Sequence, residues 1–151
     1  MANNGDILLV KNIVFNDGIA DHASLTGRIC LIISDCNDKL SLLPFTHIKP
    51  KNLRRVFMLN DKDLLNKKKS VNYYKNEYIK LDGLFQREIY FYDKIARINE
   101  IKYYLLLEKL FKLDLSNNKY CSGVYCDIEH DLLRQKNELK LKIWYNYLEK
   151  R

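Results

Sequence analysis

Short apolar runs separated by turn residues constrain the fold of this chain more than any other feature. The first third of the sequence holds three of them, in residues 5–10, 27–34 and 42–47. Each run has about four to six consecutive residues rich in Ile, Leu and Val, which is too short for a core helix and suits a buried strand. The same signals predict further strands at residues 56–58, 77–82 and 84–91.

Beyond Asn99 the spacing of apolar residues becomes helical. The residues at this spacing are Tyr103, Leu106, Leu107, Leu110 and Phe111. Asn99 is the predicted N-cap of this helix, and Glu100 places a carboxylate in its first turn.

A second helix is predicted from an N-cap at Asp127 to the carboxyl terminus. Its apolar stripe consists of Ile128, Leu132, Leu139, Ile143 and Tyr147, and Glu138 and Lys142 form a predicted i,i+4 ion pair. Strands followed by helices predict a mainly β fold, a small antiparallel barrel from Gly5 to about Phe91 with two α-helices after it.

The chain has 151 residues and is predicted to form one domain. The barrel and its packing helix take residues 1–113, and a helical extension of the same domain takes residues 114–151. No apolar run approaches the roughly 18 residues of a membrane span. The first six residues lack a signal-like pattern, so the sequence predicts a cytoplasmic protein.

Four cysteines are predicted to be reduced thiols: Cys30, Cys36, Cys121 and Cys126. Cys30 lies inside an apolar run, and the spacings differ from those of a zinc knuckle. A metal site that combines cysteines with His22 or His130 is the alternative, but no metal or other cofactor is expected.

Positive charge is concentrated in the last two thirds of the chain. The net charge is +7, although residues 1–50 carry only four Lys or Arg against five acids. The segment 51–80 contains Arg54, Arg55 and the run Lys67, Lys68 and Lys69, with tyrosines close behind. Basic residues mixed with aromatic ones suit single-stranded nucleic acid. The alternative is a solvated face in a chain rich in Lys, Asn, Ile and Tyr throughout.

Arg28 and Thr46 are the polar residues at the edges of the second and third runs. If the two strands are neighbours, both side chains reach the rim of one sheet. A guanidinium there can neutralise negative charge on a phosphate group, and the threonine can donate a hydrogen bond to a phosphate oxygen. The alternatives are an ion pair of Arg28 with Asp6 or Asp21, and a threonine that only forms strand.

Histidines and charged residues near these two positions extend the candidate site. His22 precedes Arg28 and His47 follows Thr46, and imidazoles can move protons near neutral pH. Lys80 and Asp82 alternate along a predicted strand and so share a face. The alternatives are two unrelated surface histidines and a cross-strand ion pair.

In order and spacing, residues 5–113 resemble the PemK/MazF family of toxins. Five parts of the sequence carry the resemblance: Gly5-Asp6-Ile7, Gly27-Arg28 with Leu31-Ile32-Ile33-Ser34, Leu43-Pro44-Phe45-Thr46, residues 78–82 with Arg87-Glu88-Ile89, and Arg97-Ile98. The last of these is predicted to open a terminal helix similar to that of the family. The chain departs from the family pattern at three positions. Ile29 stands where the family has Pro, His47 where it often has Thr or Ser, and Ala23 where a loop acid is expected, with Asp21 and His22 nearby. Residues 114–151 have no counterpart in compact members.

The resemblance implies an SH3-like barrel and a metal-independent endoribonuclease that cuts single-stranded RNA by 2′-hydroxyl attack. It also implies a catalytic role for Arg28, an RNA groove lined by the region of Lys80 and Asp82, a homodimer, and a protein antitoxin as partner. A non-catalytic barrel that binds RNA or protein is the alternative. A third interpretation makes the last helix a docking or dimerisation element carried by the barrel.

Overall fold

The computed structural model describes residues 2–11, 14–15, 22–23, 28–36, 38–46, 49, 51–68, 78–113 and 128–150. Within these residues the chain forms ten short strands followed by two helices. The strands are β1 Asp6–Val10, β2 Val14–Phe15, β3 His22–Ala23, β4 Arg28–Cys36, β5 Lys39–Thr46, β6 Val56–Met58, β7 Leu64–Leu65, β8 Tyr78–Lys80, β9 Phe85–Arg87 and β10 Tyr92–Ile98. The helices are α1 Glu100–Phe111 and α2 Glu129–Glu149.

Eight of the strands form one antiparallel sheet that curls into a half-barrel. Seven follow the order β6-β8-β5-β4-β1-β10-β7, and β9 pairs with β5 beside β8. β2 and β3 form a separate ribbon. The prediction of a mainly antiparallel β fold with two carboxyl-terminal helices is confirmed.

Side chains alternate between two apolar layers on opposite faces of β1, β4 and β5. Both helices cover the main core, which includes Ile7, Leu31, Ile33, Leu43, Phe45, Leu106, Leu107 and Leu132. The smaller layer on the other face contains Leu8, Val10, Cys30, Ile32, Leu40, Leu42 and Phe85. Because both faces are buried, these strands have continuous apolar runs instead of a polar alternation.

The sheet extends further along the chain than the sequence predicted. Arg97 and Ile98 end β10 and do not open the helix, and the predicted strand 84–91 is limited to Phe85–Arg87. Residues 60–68, for which no strand was predicted, contain a 3-10 turn at Asp61–Asp63 and the strand β7. The apolar residues of β10 do not alternate with a period of two, because the register of β10 with β1 shifts between Ile7 and Leu8.

A buried carboxylate joins β1 to β10. Asp6 is fully buried, and its oxygens accept from Arg97 Nη1 at 2.9 Å and from the backbone N–H of Asn3 at 2.7 Å. Lys94 Nζ lies 3.1 Å from the same group. Asp6 is therefore the partner of two cations on β10, and the predicted alternative that pairs Asp6 with Arg28 is wrong.

Helix α1 agrees with its prediction. The side chain of Asn99 accepts from the backbone N–H of Lys102 at 2.8 Å and caps the helix. Tyr103, Leu106, Leu107 and Leu110 form its buried face.

Helix α2 is fixed to the sheet by a buried polar network. Gln135 Nε2 donates to the carbonyl of Ile33 at 2.7 Å, and its Oε1 accepts from the hydroxyl of Tyr103 at 2.5 Å. The hydroxyl of Ser34 donates to Asp131 Oδ2 at 2.8 Å. Burial raises the pKa of the Tyr103 phenol, which keeps the group protonated as a donor. These hydrogen bonds therefore fix the position of α2 on the sheet.

The ion pairs of α2 differ from the prediction. Glu138 accepts from Arg134, whereas Lys142 reaches across to Glu100 on α1. Asp127, the predicted N-cap, lies outside the described residues. No helix in the described ranges combines the length and apolar composition that crossing a membrane requires.

Stability that depends on Asp131 is expected to be lost in acid. Burial alone would raise the pKa of this carboxyl, but hydrogen bonds from Arg134, Ser34 and Gln135 together lower it below its ordinary value. Because the pKa in the folded state is lower than the unfolded value of about 4, the contribution is complete above that pH and disappears as the pH falls through the folded value. Urea unfolding should therefore show that Asp131→Asn has a lower unfolding free energy than the wild type at neutral pH, and that this difference becomes smaller below about pH 4. A difference that stays constant at all pH values would contradict this account.

Candidate RNA-cleaving site

Arg28 and Thr46 are brought together at one end of the sheet. β4 and β5 are antiparallel neighbours with Cys30 opposite Pro44, and continuing this register by two residues sets Arg28 opposite Thr46. Nε and Nη2 of Arg28 donate to the carbonyl of Phe45 at 3.3 and 3.1 Å. The expectation that the two strands are neighbours is confirmed, and the guanidinium is oriented by the backbone that carries Thr46.

A row of four side chains crosses the sheet at this end. Thr46 is opposite Tyr78 on β8, and Tyr78 is opposite Met58 on β6. We call Arg28, Thr46, Tyr78 and Met58 the Arg28 row. Phe45, Ile79 and Phe57, one residue along each strand, belong to the main core or pack against it. Alternation therefore places the Arg28 row on the sheet face opposite to both helices.

Exposure differs along the Arg28 row. Arg28 and Tyr78 are half-buried, Met58 is exposed, and Thr46 keeps only 6% of its surface accessible. A ligand that approaches this face therefore meets the arginine, the phenol ring and the methionine before it meets the threonine. Sequence reasoning did not assign Tyr78 and Met58 to a site, although the alternation of Tyr78, Ile79 and Lys80 marks a strand with one polar face.

Lys80 and Asp82 do not lie on one strand, contrary to the prediction. β8 ends at Lys80, and Asp82 belongs to a 3-10 turn at Leu81–Gly83. Gly83 passes so close to Pro44 that a Cβ there would lie 2.9 Å from the proline Cγ. This close approach requires a glycine at position 83, in the turn that directly follows the strand. Lys80 remains two residues from Tyr78 and shares its face.

Exposed arginines extend the positive charge from Lys80. Val56 is opposite Lys80, and the 3-10 turn at Leu53–Arg55 precedes it. Arg54 and Arg55 on this turn are both exposed. Tyr78 thus has Lys80 on its own strand and two arginines near the neighbouring one.

Lys67 and Lys68 lie elsewhere on the sheet. Lys67 Nζ is 2.5 Å from Asp61, and the backbone N–H of Lys68 donates to the carbonyl of Ile95 at 2.8 Å. They follow β7 and run along β10, which β1 separates from β4. The structure therefore does not bring these two lysines to the Arg28 row.

Four predicted site residues remain, and one of them lies in the part of the chain that the structure describes. His22 lies in β3 opposite Phe15. Asp21, His47 and Lys69 lie outside the described residues.

Within the part of the chain that the structure describes, the side chain of Cys30 is buried in the smaller apolar layer. The same residues contain no group of three or more His, Cys, Asp or Glu side chains able to hold a metal ion.

The geometry of the Arg28 row is that of a small polar site on an apolar sheet face. Its arginine is held in place, its threonine is recessed, and its aromatic ring has one cation on the same strand and two on the turn before the neighbouring strand. Comparison with known proteins finds no matching family model, no matching curated protein and no matching solved structure.

Proposed function

We propose that this protein is a toxin-like, metal-independent endoribonuclease of the PemK/MazF type with an SH3-like barrel. The observation that carries the proposal is the pairing of Arg28 with Thr46 across β4 and β5, with the guanidinium oriented by the carbonyl of Phe45. The curled antiparallel sheet supports the barrel assignment.

The reaction is an attack of an RNA 2′-hydroxyl group on the adjacent phosphorus. A bond forms between phosphorus and O2′, the bond to O5′ breaks, and the products carry a 2′,3′-cyclic phosphate and a 5′-hydroxyl group. Arg28 stabilises the negative charge that grows on the phosphate oxygens, and Thr46 donates a hydrogen bond to one of them. His22 and His47 are the proposed groups that accept the proton from O2′ and return one to O5′. No cofactor takes part.

The surroundings of the Arg28 row suit single-stranded RNA. Tyr78 offers a ring on which a base can stack, and Lys80, Arg54 and Arg55 offer positive charge to the phosphates. An exposed thioether at Met58 adds apolar contact. Asp21 and Asp82 stay proposed RNA contacts from the sequence comparison with the family, and Lys67, Lys68 and Lys69 stay so from the basic charge of segment 51–80.

The same proposal includes partners and compartment. The resemblance of residues 5–113 implies a homodimer whose cleft is covered by a protein antitoxin, and the proposed compartment is the cytoplasm.

A non-catalytic module that binds RNA or protein is the second candidate. It is favoured by the low exposure of Thr46 and by the use of two Arg28 nitrogens on a protein carbonyl. Both features reduce the number of donors that this site can offer to a phosphate.

Incubation of the purified protein with a long unstructured RNA in EDTA tests the proposal. The expected products carry 5′-hydroxyl and 2′,3′-cyclic phosphate ends, while DNA of the same sequence stays intact because it lacks the 2′-hydroxyl group. Retention of RNA on the protein with no cleavage would refute the enzyme and support the binding module. Cleavage that EDTA abolishes would refute the metal-independent mechanism.

A further inference from the structure

The second half of α2 exposes large apolar side chains on the side away from the core. Leu141, Trp144, Tyr145 and Leu148 are each at least 40% exposed. At about 100° per residue these four positions lie on one face of the helix. We call them the α2 stripe. Such a contiguous stripe on a helix that is already fixed at its other end marks an interaction surface.

The α2 stripe has a symmetric sequence. Leu141 precedes Trp144 by the same number of residues as Leu148 follows Tyr145. When two copies of such a helix lie antiparallel about a two-fold axis between Trp144 and Tyr145, each leucine faces the other leucine. Each tryptophan faces a tyrosine. A two-fold interface requires this self-complementarity, because one patch must bind itself.

Further apolar surface continues from the α2 stripe. Tyr147 stacks on Trp144 with ring centroids 5.7 Å apart and lines a groove of about 670 Å³. Leu65, Ile101 and Ile143 form other walls of this groove. Leu65, Ile101 and Tyr147 are themselves between 45% and 57% exposed.

The exposed area is sufficient for a dimer. Trp144, Tyr145 and Tyr147, with side chains of about 150–250 Å² each, are more than half exposed, and with Leu141 and Leu148 they offer roughly 500 Å² per copy. Two copies would bury about 1,000 Å², the lower limit of a specific interface, with Tyr147 included and the other walls of the groove left out.

We propose that the α2 stripe binds the α2 stripe of a second copy of this chain as an antiparallel, two-fold helix pair. The network of Gln135, Ser34 and Asp131 fixes the first half of α2 on the sheet face opposite to the Arg28 row. Self-association through α2 therefore leaves the Arg28 row uncovered in both copies. This inference stands without the proposed nuclease activity.

Sedimentation velocity over a range of protein concentrations measures the association. Tyr145→Glu puts a charge into the centre of the α2 stripe and should weaken association at least about 30-fold, the effect of a 2 kcal/mol hot spot. Phe91→Glu is the matched control and should leave association unchanged, because Phe91 is an aromatic residue with the same 63% exposure outside α2.

Trp144 is the single tryptophan of the chain and reports burial directly. Its emission should shift to the blue as the wild type associates. Association of Tyr145→Glu as tight as that of the wild type would overturn the proposal by placing the interface elsewhere. A wild type that stays monomeric would also overturn it. A blue shift seen only with phosphatidylglycerol vesicles would assign the α2 stripe to a lipid surface instead.

Two double variants test the antiparallel register. Leu141→Glu with Leu148→Lys sets opposite charges face to face, whereas Leu141→Glu with Leu148→Glu sets like charges face to face. The first should associate at least about tenfold more tightly than the second, because like charges across an interface are repulsive. A parallel pair would place like charges together in both variants, so equal association would overturn the antiparallel arrangement.

Discussion

Replacing Arg28 by Ala is expected to slow RNA cleavage about 100- to 1,000-fold, the usual effect of removing one preorganised donor from a developing negative charge. The decrease should affect the cleavage rate constant of the RNA-bound enzyme, because the extra negative charge on the phosphate develops only in the transition state. Arg28→Lys should restore little, because an ammonium group cannot reproduce the planar two-pronged contact with a phosphate. Thr46→Val should have a smaller effect, since it removes one neutral hydrogen bond and keeps a residue that suits a strand.

Single-turnover cleavage of a long unstructured RNA in EDTA measures these rates. Arg87→Ala is the matched control, because Arg87 is also a half-buried arginine that donates to a backbone carbonyl on this sheet, at 2.9 Å. Its rate should equal that of the wild type. Thermal unfolding of each variant separates loss of chemistry from loss of fold. Equal rates for the wild type and a folded Arg28→Ala protein would remove Arg28 from the mechanism.

Replacing Asp6 by Ala is expected to cost about 3 kcal/mol of unfolding free energy and to lower the melting temperature by about 6–12 °C. The carboxylate is fully buried, and its removal leaves Arg97 and the Asn3 N–H without their acceptor. The first loss falls on the contact between β1 and β10, and the second falls on the turn that leads into β1. Thermal and urea unfolding measure the change.

Asp93→Ala is the matched control for Asp6. Asp93 is an acid of β10 that lies 3.9 Å from both Lys11 and Lys68, but its side chain is half-exposed. Exposed pairs of this kind contribute about 0–1 kcal/mol, so the variant should unfold almost like the wild type. Equal destabilisation by the two substitutions would show that burial of Asp6 does not set its contribution.

The strands with the clearest sequence signals are those buried on both faces. β1, β4 and β5 have continuous apolar runs, and α1 has an Asn99 cap followed by a regular stripe. β10 was missed because Asp93 and Lys94 interrupt it and a register shift puts Ile95 and Ala96 both in the core. β7 has two residues, and only its pairing with Arg97 and Ile98 makes it a strand. Such pairings depend on residues far along the chain.

The candidate site was predictable in part. Arg28 and Thr46 could be paired from the sequence because they flank two runs of strand length that a short turn connects. Tyr78 and Met58 lie in the same row because β8 pairs with β5 and β6 pairs with β8. No local sequence pattern specifies the registers of these two pairings. The prediction that Lys80 and Asp82 share a strand was wrong because Asp82 lies in a 3-10 turn after β8, in which Gly83 packs against the ring of Pro44.

The position of β1 between β4 and β10 has a consequence for the protein during its synthesis. Asp6 and Arg97 are 91 residues apart, and at about 5–20 residues per second the ribosome adds the second of them roughly 5–18 s after the first. Until then the outer edge of β1 has no partner strand, and an unpaired apolar edge promotes aggregation. A chain released before Ile98 would already contain Arg28 and Thr46 but would keep that edge open. Translation through β10 is therefore a condition for a monodisperse product.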